Sequence, residues 1–152
     1  MKTIVIAGAG RKSGKTTTLR ALQSILPDSL AIKIGQTGAE DKGKPELLLP
    51  FASTMEDILQ AIPHQPEHLL IEGNIILEKL QPDLAIFVDK EGPDRKINAD
   101  WAKEKCDLIV GTRIDCRQAF QLAGRIGLNL SVFGQLLNKL QIKISSCQLG
   151  CF

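Results

Sequence analysis

Residues Ala9-Gly10-Arg11-Lys12-Ser13-Gly14-Lys15-Thr16 follow the order G-x-x-x-x-G-K-[ST], with alanine at the first position, which many such loops accept. The chemistry this order supports is polyphosphate binding. Glycines let successive N–H groups turn towards one point, and the N-terminus of a following helix adds partial positive charge. A lysine then reaches the outer phosphates and a hydroxyl holds Mg²⁺. Gly10, Gly14, Lys15 and Thr16 supply these groups, and Arg11, Lys12, Ser13 and Thr17 complete the wall around the anion. The apolar run Thr3–Ala7 precedes the motif, and Leu19, Leu22 and Leu26 share one helical face directly after it.

A second candidate is Glu72, which ends the apolar run Leu69-Leu70-Ile71 and is followed by Gly73. In a parallel sheet that strand would finish near the phosphate loop. Glu72 would there join Thr16 at a Mg²⁺ ion or orient an attacking water, with Lys15 as the catalytic cation. The plainer alternative is an exposed acid at a strand end. A third candidate, Thr112-Arg113-Ile114-Asp115, follows the run Asp107–Val110, where GTPases carry [NT]-K-x-D. Arg113 keeps the aliphatic stem and cation that cover a base face. The two oxygens of Asp115 suit the N1–H and exocyclic amine of guanine, a pair that adenine does not present. Asp115 is equally suited to N-cap the helix that follows, and both roles stay open at this point.

These groups need a scaffold that brings distant segments together. Short apolar runs alternate with segments of helical period, the pattern of parallel βαβ units. Six strands are expected at Thr3–Ala7, Leu30–Ile34, His68–Ile71, Leu84–Val88, Asp107–Val110 and Leu130–Phe133. Helical stripes run through Leu19/Leu22/Leu26, through Met55/Ile58/Leu59/Ile62 behind a Ser53/Glu56 capping box, through Ala119/Leu122/Ala123/Ile126, and through Leu136/Leu137/Leu140. Pro63 and Pro66 break any helix across His64 and His68, which read as loop residues. Gly35 to Ser53 is a long, charged, glycine-rich loop of the kind that is usually functional or disordered, placed where ligands bind in open α/β sheets. The expected fold is α/β: three layers, a mainly parallel sheet and helices on both faces, in the manner of P-loop NTPases. One domain over residues 1–152 suits the length.

Composition narrows the partners. Nineteen Lys and Arg against seventeen Asp and Glu give a net charge of +2, too weak a field to make nucleic acid the default partner. Five Phe, one Trp and no Tyr leave few stacking platforms. No apolar run reaches the roughly 18 residues of a membrane span, and a soluble, cytoplasmic protein is expected. A chain of this size buries about 68–70% of its unfolded surface, so folding does not require its four cysteines. Cys147 and Cys151 are spaced too loosely for a zinc knuckle and offer two of four ligands; a homodimer could assemble the rest.

The phosphate loop, the strand Ala31-Ile32-Lys33-Ile34, the segment Asp41-Lys42-Gly43-Lys44 and the turn Ile71-Glu72-Gly73, in this order, resemble the MobB family. That family assists molybdopterin–guanine dinucleotide biosynthesis and is a branch of P-loop GTP-binding proteins that includes nickel metallochaperone GTPases. Here Gly35-Gln36-Thr37 stands where the family commonly carries histidines, and Pro45 follows Lys44 where an acid would stand. The signature lysine of deviant Walker A ATPases would fall at Gly10. The resemblance implies binding of GTP, or ATP, with Mg²⁺, slow hydrolysis and another cofactor-maturation protein as partner. Two other functions fit the same motifs: a small-molecule kinase with Glu72 or Asp41 as base, and an adaptor that senses nucleotide without needing turnover.

Overall fold

The computed structural model describes residues 1–35, 47–89 and 94–145. Six strands, β1 (Lys2–Gly8), β2 (Ser29–Ile34), β3 (Leu47–Leu49), β4 (His68–Glu72), β5 (Leu84–Val88) and β6 (Leu108–Ile109), form one sheet in the order β3-β2-β4-β1-β5-β6. Every neighbouring pair is parallel. Five α-helices are described: α1 (Lys15–Gln23), α2 (Met55–Ala61), α3 (Ala99–Glu104), α4 (Cys116–Arg125) and α5 (Leu130–Lys139). A short parallel pair, β7 (Arg113–Asp115) with β8 (Lys143–Ser145), stands apart from the main sheet.

The strands are continuous apolar runs rather than alternating ones because both faces of the sheet are covered. Ile4 and Ile6 of β1 pack with Leu19 and Leu22 of α1, Ala119 and Leu122 of α4, and Phe133, Leu136 and Leu137 of α5. Val5 turns to the opposite face, into a cluster with Ile32, Ile71 and Ile58 of α2. Ala7 joins Phe87, Ala99 and Ala102 beneath α3. This places β1 at the centre, so the residues that follow Gly8 emerge between the ends of β4 and β5.

Three expectations need correction. Leu130–Phe133 is the first turn of α5 and not a strand. The Asn129 side chain accepts from the Val132 N–H and caps a helix whose buried Phe133, Leu136 and Leu137 recur at helical spacing, so tertiary burial of that stripe overrides the local apolar run. The sixth strand of the sheet is instead β3, inside the segment read as loop; residues 36–46 lie outside those described. The capping box of α2 is Thr54 with Asp57, one residue beyond the Ser53/Glu56 spacing. Helix α3 and the β7–β8 pair have no counterpart in the sequence pattern. No helix among the described residues is long and apolar enough to cross a membrane.

His68 is a strand residue at the start of β4, 5% exposed, and neither ring nitrogen has a hydrogen-bond partner among the described residues. An unmade bond of this kind costs about 1–3 kcal/mol. Replacing the imidazole by an apolar side chain of similar bulk, His68→Leu, should therefore stabilise the fold by about 1 kcal/mol, a rise in melting temperature of about 2–4 °C. Thermal denaturation measures it, and a lower melting temperature would show that the imidazole is satisfied in solution.

Candidate functional site

The parallel topology brings the carboxyl ends of β1, β2 and β4 to one edge, and three of the residues singled out from the sequence meet there. Ile6 pairs with Glu72 across β1 and β4, and Lys33 pairs with Glu72 across β2 and β4. Glu72 is 4% exposed. One carboxylate oxygen accepts from the Thr16 hydroxyl at 2.8 Å, and the other lies 3.9 Å from the Lys33 ammonium. The carboxylate at the end of β4 is thus tied directly to the first turn of α1.

Between them runs the loop from Ala9 to Gly14. Gly14 sits at φ 102°, a left-handed conformation that glycine adopts without steric cost, and starts α1 with no side-chain cap and no acid in the first turn. The helix N-terminus therefore keeps its partial positive charge uncompensated from its own sequence. The Lys15 ammonium folds back across the loop, donating to the Gly10 carbonyl at 2.7 Å and to the Ser13 hydroxyl at 3.1 Å. Burial pulls the Lys15 pKa below the usual lysine range; Lys96 and Lys33 act in the same direction and Glu72 opposes them. Ser13 is buried, whereas Arg11, Lys12 and Thr17 are exposed. Lys12 is held at φ 55°, strained for a residue with a side chain, as loops at functional sites often are.

Two features of the site are not legible in the motif. Asn74, 3% exposed, closes both backbone groups of Gly8: its Oδ1 accepts from the Gly8 N–H at 3.0 Å and its Nδ2 donates to the Gly8 carbonyl at 3.1 Å. A side-chain amide thereby substitutes for a neighbouring strand at the point where β1 ends. The other is the segment Asp94–Asn98, which lies as a strap on the loop. The Lys96 N–H donates to the Ala9 carbonyl at 2.7 Å, and Arg95 bridges to Gly10. A Cβ at Gly10 would collide with the Asp94 carbonyl oxygen, so glycine is required there by the strap as well. Arg95 is held by Asp89 and Asp100. Lys103 at 2.6 Å, with Arg95 adding to it, holds the Asp89 carboxyl below the usual carboxylate range. An open depression of about 570 Å³ runs between Arg11 and the strap. The only sequence signal for Asn74 is its place after Glu72-Gly73, and the strap has none.

The remaining candidates sit elsewhere on the same edge. Thr112 donates its hydroxyl to the Ile109 carbonyl at 2.7 Å, and Arg113 and Asp115 are exposed on β7. Asp115 N-caps α4, accepting from the Gln118 N–H at 2.7 Å. Among the described residues, no hydrogen bond or ion pair joins these three to the Ala9–Thr16 loop. The strand before them, β6, stands two positions from β1 in the sheet, about 10 Å at the usual strand spacing. Burial, reinforced by Asp107, pushes the Cys106 thiol up to about 12, which removes it as a thiolate at neutral pH. Asp41 and the pair Cys147 and Cys151 lie outside the described residues.

The donor set at Thr16 and Glu72, a hydroxyl and a carboxylate 2.8 Å apart, fits Mg²⁺. That ion takes few protein oxygens and fills its shell with water and phosphate. Glu72→Gln keeps the side-chain shape and an acceptor for Thr16 but removes the charge. With a nucleoside triphosphate as probe, it should depress any phosphate release and its Mg²⁺ dependence far more than affinity for the probe, as read across a Mg²⁺ titration. Unchanged turnover would reduce Glu72 to a structural partner of Thr16 and Lys33. Comparison with protein-family models, with curated proteins and with solved structures finds no match for this chain, so the residues and their geometry carry the reading of the site.

Proposed function

We propose that this chain is a P-loop NTPase that binds a purine nucleoside triphosphate, GTP in preference to ATP, with Mg²⁺ and hydrolyses it slowly. The observation that carries the reading is the Lys15 ammonium donating to the Gly10 carbonyl and the Ser13 hydroxyl at an uncapped helix N-terminus. Those two acceptors hold the cation over the loop, where phosphate oxygens would take it up. The uncapped N–H groups of α1 would complete the anion site. Mg²⁺, held by Thr16 directly and by Glu72 directly or through water, would neutralise phosphate charge.

In hydrolysis a water oxygen bonds to the outer phosphorus while the bond to the bridging oxygen breaks. That oxygen leaves with the diphosphate, and one water proton is released with the inorganic phosphate. This chain's contribution is position and charge: Lys15 neutralises the outer phosphates, and Glu72 fixes the water or metal shell beside them. The resemblance of the loop, the β2 strand and the Ile71-Glu72-Gly73 turn to the MobB family supplies the setting proposed with it. That setting is an accessory role in molybdenum-cofactor maturation beside a partner protein.

Two measurements test the nucleotide reading. Lys15→Ala should abolish triphosphate binding by calorimetry while leaving circular dichroism native, because among the described residues the Lys15 ammonium hydrogen-bonds only within the loop. Unchanged affinity would remove the loop from the site. For the base, competition among GTP, ATP and xanthosine triphosphate should show a wild-type preference for GTP that Asp115→Asn moves towards xanthosine triphosphate. Xanthine carries a carbonyl where guanine has its amine, so an amide can donate where a carboxylate repels. One charge-assisted hydrogen bond is worth about 1.5–3 kcal/mol, so affinities should change roughly tenfold or more. Asn caps helices as well as Asp, so α4 survives the exchange and the readout is not confounded by stability. A preference that stays put would leave Asp115 as the α4 cap alone.

A further inference from the structure

The motif provides one catalytic cation, Lys15, and the sequence shows no arginine finger at a recognisable position. We propose that Lys96 is that missing cation, supplied in cis by the strap: its ammonium contacts the outermost phosphate of the bound nucleotide and stabilises the charge that develops there during transfer. This rests on the nucleotide reading above and adds to it a residue outside the loop motif.

Lys96 is built into the site by its backbone. Its N–H is bonded to the Ala9 carbonyl at 2.7 Å, the adjacent Arg95 is bridged to Gly10, and Asn98 accepts from Asn74 Nδ2 at 3.4 Å, the amide that clamps Gly8. Arg95 is itself fixed by Asp89 and Asp100, so the strap is held on both sides of Lys96.

The direction of the side chain follows from its neighbours. Lys96 keeps an exposed surface, but partial burial lowers its pKa; Glu72 counteracts this, and Arg11 and Lys33 reinforce it. The strap follows β5, whereas Lys33 is on β2, with β1 and β4 between them in the sheet. Lys96 also lines the open depression between the strap and Arg11 of the loop, beside the point where Ala9 and Gly10 are bonded to the strap.

Charge makes the same point. Lys96 and Arg11 line one depression with Asp94, Lys15 is held within the loop, and among the described residues the Lys96 ammonium makes no hydrogen bond. A lysine ammonium without a hydrogen bond, beside a loop shaped for N–H donation, suits an anion, and the outer phosphate of a triphosphate is the part that a diphosphate lacks.

The test compares GTP and GDP, each with Mg²⁺, on wild type, Lys96→Ala and Lys96→Arg by calorimetry, with single-turnover phosphate release alongside. Lys96→Ala should weaken GTP about tenfold or more, leave GDP within about twofold and slow phosphate release, while Lys96→Arg restores most of both. An exposed strap side chain should leave the melting temperature unchanged. Equal losses for GTP and GDP, or none, would overturn the assignment while wild-type binding abolished by Lys15→Ala keeps the nucleotide reading standing. A wild type that binds neither nucleotide would overturn both.

Discussion

A carboxylate almost wholly withdrawn from water must be paired, and Glu72 meets that demand in a way that organises the whole edge of the sheet. Its oxygens reach Thr16 on α1 and Lys33 on β2, consecutive elements that β3 and α2 separate from β4 along the chain. The pairing registers Ile6–Glu72 and Lys33–Glu72 align the ends of three parallel strands with this one side chain. An ion buried at such a point costs several kcal/mol in lost hydration unless polar partners surround it, so the partners and the carboxylate select one another. Lys15 and Lys96 enter the same balance through the electrostatic influence of Glu72 on their protonation.

Around that anchor the loop is rigid for reasons outside its own sequence. Asn74 completes the hydrogen bonds of Gly8, and the strap takes the Ala9 carbonyl. Together they explain why alanine stands where the motif usually has glycine: the Ala9 methyl is fully buried in the cluster of Phe87, Ala99 and Ala102, which fills the space below the strap. They also explain why Gly10 cannot follow suit, since the Asp94 carbonyl occupies the position of its missing Cβ. Preorganised donors of this kind are the ones that act strongly on a developing charge, because nothing has to reorient when the charge appears.

In the Thr112–Asp115 segment one residue caps a helix and would, in the proposed function, also meet the base. Asp115 is committed to the first turn of α4 through Gln118, and β7 is pinned by β8, whose Ser145 stands in register with Asp115. A base-recognition role would use a carboxylate already immobilised by its capping bond, at low entropic cost.

Local chemistry determined much of this protein by itself. The glycine, lysine and hydroxyl spacing of Ala9–Thr16, the apolar runs of β1, β2, β4 and β5, and the leucine stripe of α1 are short-range patterns, legible because strand and helix periods act within a few residues. Leu130–Phe133 misled because an apolar tetrad fits either period, and only its stripe against the sheet, through Phe133, Leu136 and Leu137, makes it helical. The β3 edge strand and the β7–β8 pair needed a partner strand to exist at all. The site divides the same way: Lys15 and Thr16 were marked by spacing. The Glu72–Lys33 contact, the Asn74 clamp and Lys96 on its strap depend on strand order and register, which bring together residues tens of positions apart. Pairing energies of that range have no footprint in the linear pattern, so only the tertiary structure decided which charges face the loop.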